Sequence, residues 1–378
     1  MILALDAHKL ALKEKTGTDT VLSSFVSHLN RDNCRDFSQI ILYTKLPISR
    51  SELEELPANV TIKQINFPFL WTSLGLSMEM YLRPPDIFFS PSHLMPMRVP
   101  GKSCVIVHDV GFLDYPENYT QKDLFYLQQS VPRDLKRASL VLVPSEFTKK
   151  SIISHYYTDP NKIKVIHLGV DHSIFQPNHS QATVNQTLNQ YDPKISHYPF
   201  IFFLGRIDLR KNIINLIRAF AIFKRQTQQP HILILAGKPG VGYDKIMKVI
   251  DENKLDEDII ITNYMPREHL PVFYSEADLF LFPSLHEGFG IPILEAQACR
   301  TPVLTSNCSA MPEVAGEGAL LVDPKQPDAI AENMKKIIEN KSLAQQLVDR
   351  GQSNSQRYSW QKFTDESLRV LTALGKKL

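Results

Sequence analysis

Short apolar runs alternate with helix-period segments along almost the whole chain, and no other feature restricts the possible fold as strongly. Strands that are apolar throughout are buried on both faces. When amphipathic helices separate them, the pattern is that of parallel βα units. In the first half such runs fall at 2–7, 39–44, 60–65, 87–90, 104–108, 140–144 and 163–167, with helical patterns at 20–30, 123–138 and 148–157. Residues 178–198 are polar and rich in Asn, Gln and Thr, with Pro177, Pro193 and Pro199 around them, which is the composition of a connector. The rhythm then restarts, with strands expected at 200–204, 232–236, 259–263, 279–283, 303–306 and 319–322. Helices are expected at 212–225, 244–253, 267–275, 292–298 and 328–350. The last segment, 359–374, is amphipathic and has no strand after it, so it is expected to pack back on the first domain.

The expected fold class is therefore α/β, with two Rossmann-like domains whose parallel sheets face a central cleft. The expected division is 1–177 plus 359–378 for the first domain, 178–199 for a linker and 200–358 for the second. A length of 378 residues suits two such domains. The apolar content of 43% and charged content of 22% are those of a folded, soluble chain. A net charge of +2 gives no footprint for nucleic acid or an acidic polymer. The four cysteines form no C-x-x-C pair and read as reduced thiols, and no zinc site is implied. The N-terminal apolar run carries Asp6 and reads as a first strand. No apolar run is long enough to span a bilayer, so the expected location is cytoplasmic, with peripheral contact at the inner membrane face left open.

Ligands of open parallel sheets bind beyond the carboxyl ends of the strands. The richest such position is the stretch 279–306, LFLFPSLHEGFGIPILEAQACRTPVLTS. After the strand, Gly288 and Gly290 let backbone amides approach a ligand, and Ile291-Pro292 opens a helix whose first turn can seat a phosphate. Glu287 and Glu295 flank that seat. A carboxylate beside a diphosphate is unfavourable unless it accepts hydrogen bonds from ribose or sugar hydroxyls. A tight βα loop with incidental acids is the plainer alternative. At the end of the same domain's first strand, Gly205-Arg206 and Lys211 place two cations where a diphosphate leaving group could be neutralised. In the first half, VIVHD brings His108 and Asp109 to a strand end, and Gly17 lies between the first strand and the first helix.

The spacing E-G-F-G-x-P-x-L-E-A, with seven residues between Glu287 and Glu295, resembles the signature of retaining glycosyltransferases of family 4. GRIDLRK from Gly205 is similar to that family's G-R-x-x-x-x-K element, and the resemblance implies nucleotide-diphosphate contacts for Arg206 and Lys211. HDVGFLDYPENY, from His108, resembles a stretch of members that transfer mannose and related sugars to polysaccharides or lipids. The resemblance extends to PSEFTKKSI, HLGVDHSIF and NYMPREHLPVFYSEAD, so it covers nearly the whole chain and is denser in the second half. It implies a GT-B architecture and a hexosyltransferase using a nucleotide diphosphate sugar, with GDP-mannose favoured, and a glycan or lipid-linked acceptor. His108 and Glu287 become the catalytic candidates. Gly17, Arg206, Lys211, Tyr264, Gly288, Phe289, Gly290, Ile291 and Glu295 become the donor-binding ones, with no metal or other cofactor. At the first turn the family carries Arg and an aromatic residue where this chain has Asp19 and Thr20, which leaves the acceptor contacts open.

Other signals carry less. Asp256-Glu257-Asp258 precedes a strand and reads as a solvated turn, not as a metal motif. Ser145 and Ser284 lack the G-x-S-x-G setting of a nucleophile, and residues 7–17 contain no G-x-G-x-x-G. The apolar, aromatic stretch 67–83 reads equally as core or as an acceptor-side or membrane-touching surface. An epimerase or phosphorylase on the same plan, and a non-catalytic sugar-nucleotide binder, remain the rival functions.

Overall fold

The computed structural model describes residues 1–11, 17–48, 56–92 and 94–376. Its strands are β1 (Ile2–Asp6), β2 (Gln39–Thr44), β3 (Val60–Gln64), β4 (Ile87–Ser90), β5 (Lys102–Ile106), β6 (Leu140–Val143) and β7 (Ile163–Val165). They continue with β8 (Phe200–Leu204), β9 (Ile232–Ala236), β10 (Ile259–Asn263), β11 (Leu279–Phe282), β12 (Val303–Ser306) and β13 (Leu320–Val322). Each expected strand is present. They form two parallel sheets, ordered β3-β2-β1-β4-β5-β6-β7 and β10-β9-β8-β11-β12-β13. The central strands β4, β6, β9 and β11 are buried at every residue, as their continuous apolar sequences require when both faces are covered.

The chain folds as two compact units. Unit 1 comprises Met1–Val110, Lys122–Gly169 and Trp360–Leu378, and unit 2 comprises Gly111–Gln121 and Val170–Ser359. The expected division differs in two places. Residues 178–199 are not an extended connector but part of unit 2, with a helix at Gln181–Asn189 that Ser180 caps through the Thr183 amide. Val184 and Leu188 bury its inner face, and the Tyr191 hydroxyl lies 2.7 Å from His269 Nδ1. Polar composition concealed two buried apolar anchors, one turn apart. The second difference is Gly111–Gln121, a short excursion of the first half that folds with unit 2.

Two further expectations are corrected. The helix expected over 328–350 is two helices, Pro327–Glu339 and Lys341–Ser355. Asn340 breaks it (φ −110°, ψ 87°), and its side chain accepts the Leu343 amide to start the second helix. Strand β5 ends at Ile106, so His108 stands beyond the strand end, not on it.

In unit 2, the helix Ile213–Thr227 buries Ile213, Leu216, Ile217, Phe220 and Phe223 at helical spacing against the sheet. An aromatic cluster of Phe202, Phe273, Tyr274 and Phe280, with ring centroids 5.1 to 6.0 Å apart, fills the other face. In unit 1 the C-terminal helix Trp360–Gly375 lies on the helix Gly17–Ser27, as its lone amphipathic pattern implied. Phe363 meets Phe25 edge-on at 6.3 Å, and Asp365 accepts from Asn33 Nδ2 at 2.9 Å. The stretch 67–83 divides by face. Trp71, Leu76 and Met80 are buried beneath it, and Phe69, Leu70, Leu74, Met78, Tyr81 and Leu82 are exposed.

Phe363 is fully packed at 2% exposure. Phe363→Ala should cost about 3 to 5 kcal/mol, and hydrogen exchange should show the loss across Gly17–Ser27 with Ile291–Ala298 unchanged. Equal loss in both helices would show that the C-terminal helix does not belong to unit 1 alone.

Candidate active site

In each sheet the strand order reverses once, between β1 and β4 in unit 1 and between β8 and β11 in unit 2. Such switch points open a crevice at the carboxyl ends of the strands. In unit 2 the crevice is lined by the Gly205–Asn212 loop after β8 and the Pro283–Gly290 loop after β11. Close approach of strand ends shapes it. Gly237 follows β9 with φ 149°, and a Cβ there would fall 1.8 Å from the Gly205 carbonyl oxygen. Gly290 takes φ 104° immediately before the helix Ile291–Ala298, turning the chain so that Pro292 sits in its first turn.

Two buried groups lock the loops together. Asn212, at φ 62°, donates from Nδ2 to the carbonyls of Pro283 at 3.0 Å and Pro324 at 2.7 Å. Lys211 Nζ forms an ion pair with Glu287, with only 12% and 11% of the two side chains exposed, and lies 5.1 Å over the Phe282 ring. The sequence separates them by 76 positions. Around them, Asp208 accepts the Lys211 amide at 3.0 Å, and Ser309 Oγ accepts the Glu287 amide at 3.1 Å. Burial opposes ionisation of Glu287, but the Lys211 and Arg210 cations outweigh it and hold the carboxyl below its ordinary range. Glu287 is therefore a carboxylate, a pure acceptor for hydroxyl groups.

Glu295, one turn into the helix Ile291–Ala298, is treated in the opposite way. Burial is the largest influence and raises its pKa to about 7, against the attraction of Arg267 and a 2.9 Å hydrogen bond from the Tyr274 hydroxyl. The structure thus brings Lys211 and Glu287 into contact and turns Glu295 toward Tyr274. Arg206 follows β8 with an exposed side chain that makes no ion pair among the described residues. Tyr264, just beyond β10, is partly exposed beneath Lys238, whose Nζ is 5.5 Å from the ring centroid. Phe289 is buried edge-on against Tyr358 at 5.9 Å.

The remaining two candidates lie in unit 1. His108 Nε2 is 2.9 Å from the Pro91 carbonyl oxygen, which assigns the proton to that nitrogen and leaves Nδ1 an acceptor. Burial keeps the imidazole below its ordinary pKa, so it is neutral. Gly17 opens the first helix in open space, with nothing within 4 Å of an added Cβ, and residues 12–16 lie outside the described residues.

Sequence reasoning missed His286 as a site residue. It is 2% exposed, stands 3.5 Å from Asp114 and packs edge-on against Tyr115 at 6.1 Å. A Cβ on Gly111 would come within 2.7 Å of its ring. The GFLDYPENY stretch and the HEGFG loop, 175 positions apart at Gly111 and His286, therefore meet within unit 2. Their motifs were visible separately, but only a long-range contact could join them.

Comparison with known proteins agrees with this geometry. Residues 186–354 match the model of glycosyl transferases group 1, and residues 48–174 match that of glycosyltransferase family 4. The chain belongs to the family 4 glycosyltransferases. Among its relatives, the O-antigen chain mannosyltransferase B of Escherichia coli is 28% identical over 288 residues, which is 76% of this chain and 74% of that protein. A serotype-specific mannosyltransferase of the same species is 28% identical over 269 residues, covering 69% of this chain but only 32% of its own length. The fold is shared with the sucrose-phosphate synthase of Thermosynechococcus elongatus (TM-score 0.78, 18% identity, all of both chains). It is also shared with Anabaena HepE, crystallised with UDP and glucose (TM-score 0.75, 19% identity, 98% of this chain and 99% of that one). This glycosyltransferase thus has the two parallel-sheet domains of the GT-B plan.

Two measurements test the electrostatics of the site. Lys211→Met leaves Glu287 buried without its main partner and should destabilise the protein by about 3 to 5 kcal/mol at neutral pH. Adding Glu287→Gln should restore part of that loss in urea unfolding, and purely additive losses would contradict the coupling. Glu295 has a folded pKa raised above its unfolded value. Its contribution to stability is thus fully present below the unfolded pKa and lost as pH rises through about 7. Glu295→Gln should remove a decline on the order of 3 kcal/mol between weakly acidic and alkaline pH. An unchanged pH profile in the variant would show that Glu295 is already ionised in the folded protein.

Proposed function

We propose that the protein moves a hexose, with mannose favoured, from a nucleotide diphosphate sugar to a hydroxyl of a glycan or lipid-linked acceptor, with retention at the anomeric carbon. The observation that carries this reading is the buried Lys211–Glu287 pair at the β8/β11 switch point. It sets a cation and an ionised acceptor side by side at the start of a helix, and each half matches one end of the donor. Mannose is favoured because the relatives named above are mannosyltransferases. Among the described residues no helix is long and apolar enough to cross a membrane, and a cytoplasmic setting is part of the proposal.

In the transfer, the bond between the anomeric carbon and the β-phosphate oxygen breaks, and its electron pair leaves with the nucleoside diphosphate. Arg206, Lys211 and the amides at the start of Ile291–Ala298 compensate that charge, so the step calls for no metal. Glu287 accepts from hydroxyls of the donor sugar, and Glu295 from the ribose. The acceptor oxygen bonds to the anomeric carbon on the face from which the diphosphate departs, and its proton passes to the leaving phosphate. His108, neutral with Nδ1 as acceptor, can take a hydrogen bond from a sugar hydroxyl without adding charge.

Thermal shift with GDP, UDP, ADP and their sugars is the direct test. At a ligand concentration about a hundredfold over Kd the gain in stability is roughly 2.7 kcal/mol. The expected pattern is the largest shift with GDP-mannose, unaffected by EDTA and lost in Arg206→Ala. In Glu287→Gln, nucleotide binding should survive while transfer to a mannose-terminated acceptor falls by about a hundredfold or more. A wild type that none of these ligands stabilises, or an Arg206→Ala protein that responds equally, rules the site out.

A further inference from the structure

Unit 1 carries an exposed apolar stripe that the transfer chemistry does not use. It begins at Phe69 and Leu70, 77% and 68% exposed, and runs along the π-helical turn Trp71–Gly75 and the helix Leu76–Leu82. Leu74 and Met78 follow, with Tyr81 and Leu82 three and four positions beyond Met78, so they share the outward face of one helical rod. The opposite face is also apolar, with Trp71, Leu76 and Met80 packed into a buried cluster with Tyr43 and Phe88. A surface helix normally places polar residues outward, and here the outward row is apolar. Met97 extends the patch sideways, because its amide donates to the Ser73 carbonyl at 3.1 Å and its side chain is exposed. Leu70 itself adopts φ 45°, a conformation that costs a bulky side chain roughly 1 to 2 kcal/mol. The strain is retained at the point where the stripe leaves the body of the unit.

The charges around the stripe identify what covers it. Arg83, 70% exposed, closes the end of the helix. Arg98, also exposed, stands by the start of the same helix, its amide donating to Ser77 Oγ at 3.1 Å. The carboxylate on this helix, Glu79, is 13% exposed and lies between Lys63 and Arg83, which both pair with it. Lys63 and Arg83 thus neutralise the one acid of this helix, and Arg98 adds a further exposed cation at the rim of an aromatic and aliphatic face. Arginines at the edge of such a face suit lipid phosphates, and Phe, Tyr, Leu and Met in its centre suit the boundary between headgroups and acyl chains.

We infer that the Phe69–Leu82 stripe, with Met97, Arg83 and Arg98, docks unit 1 on the surface of a bilayer containing anionic phospholipid. The helix lies in the interface and does not cross it. The inference deepens the reading of a lipid-linked acceptor and rests on that reading only for its purpose, since a docked unit 1 would meet an acceptor carried by the same membrane.

Sedimentation with vesicles tests the surface without requiring catalysis. The full chain should sediment with phosphatidylcholine vesicles containing phosphatidylglycerol, less with phosphatidylcholine alone, and less again as salt is raised. The triple variant L74E/M78E/Y81E should bind the mixed vesicles about a hundredfold more weakly or worse. Its urea midpoint and its donor-induced thermal shift should remain those of the wild type, because all three side chains are exposed. If the variant proves less stable, Tyr81→Ser with Leu82→Ser replaces it under the same expectation. R83Q/R98Q should lose the preference for phosphatidylglycerol. The inference is overturned if the wild type stays in the supernatant while still binding donor, or if the triple variant sediments equally well. It is also overturned if sedimentation velocity without lipid shows a dimer that the triple variant abolishes, since a second copy would then cover the face. Loss of donor binding with intact vesicle binding would count against the transfer reading alone.

Discussion

The ion pair between Lys211 and Glu287 is the contact on which the geometry of unit 2 turns. Both charges are almost fully enclosed, and neither could remain there alone, because an unpaired buried charge costs several kcal/mol. Their pairing therefore specifies the relative position of the loop after β8 and the loop after β11. Asn212 reinforces the same closure by donating to two carbonyls from different loops. With those loops held, the Gly290 turn aims the start of the helix Ile291–Ala298, and Arg206 is left on the open side of the strand ends. A pair of this kind adds little net stability compared with an apolar substitute. Its value lies in being a cation and an acceptor that are already positioned.

The two glutamates of one short motif illustrate how environment divides chemically identical side chains. Glu287 meets Lys211 and Arg210 and stays ionised despite its burial. Glu295 meets Tyr274 and a more distant Arg267, so desolvation prevails and its pKa rises to about 7. A protonated or half-protonated Glu295 avoids placing a second negative charge near the phosphate seat, and on the proposed reading it can both donate and accept at a ribose diol. The motif spacing assigned each residue to one end of the donor but contained no information on their charge.

Much of the fold was legible because parallel strands buried on both faces announce themselves as short apolar runs. LFLF at β11 and ILILA at β9 are unambiguous, and the amphipathic pattern of 359–374 marked one face of the last helix for burial. What misled were segments whose hydrophobic content is sparse or continuous. Helix Gln181–Asn189 hides its anchors, Val184 and Leu188, in a polar background. The break at Asn340 leaves the helical periodicity on either side intact. In 67–83 both faces of the helix are apolar, so periodicity could not tell the face that packs from the face that meets its surroundings.

By itself, the sequence determined the two-sheet parallel architecture, the strand positions and the residue types at the strand ends, because those follow from burial periodicity and from short, specific spacings. It also placed Arg206, Lys211 and Glu287 on the loops where ligands of such sheets bind, and Glu295 on the helix that follows one of them. The tertiary structure alone decided which of these residues meet, that Gly111–Gln121 joins unit 2 beside His286, and which glutamate is charged. The physical reason is that ion pairing and desolvation depend on distance and enclosure. Both arise between residues far apart along the chain, where no local pattern records them.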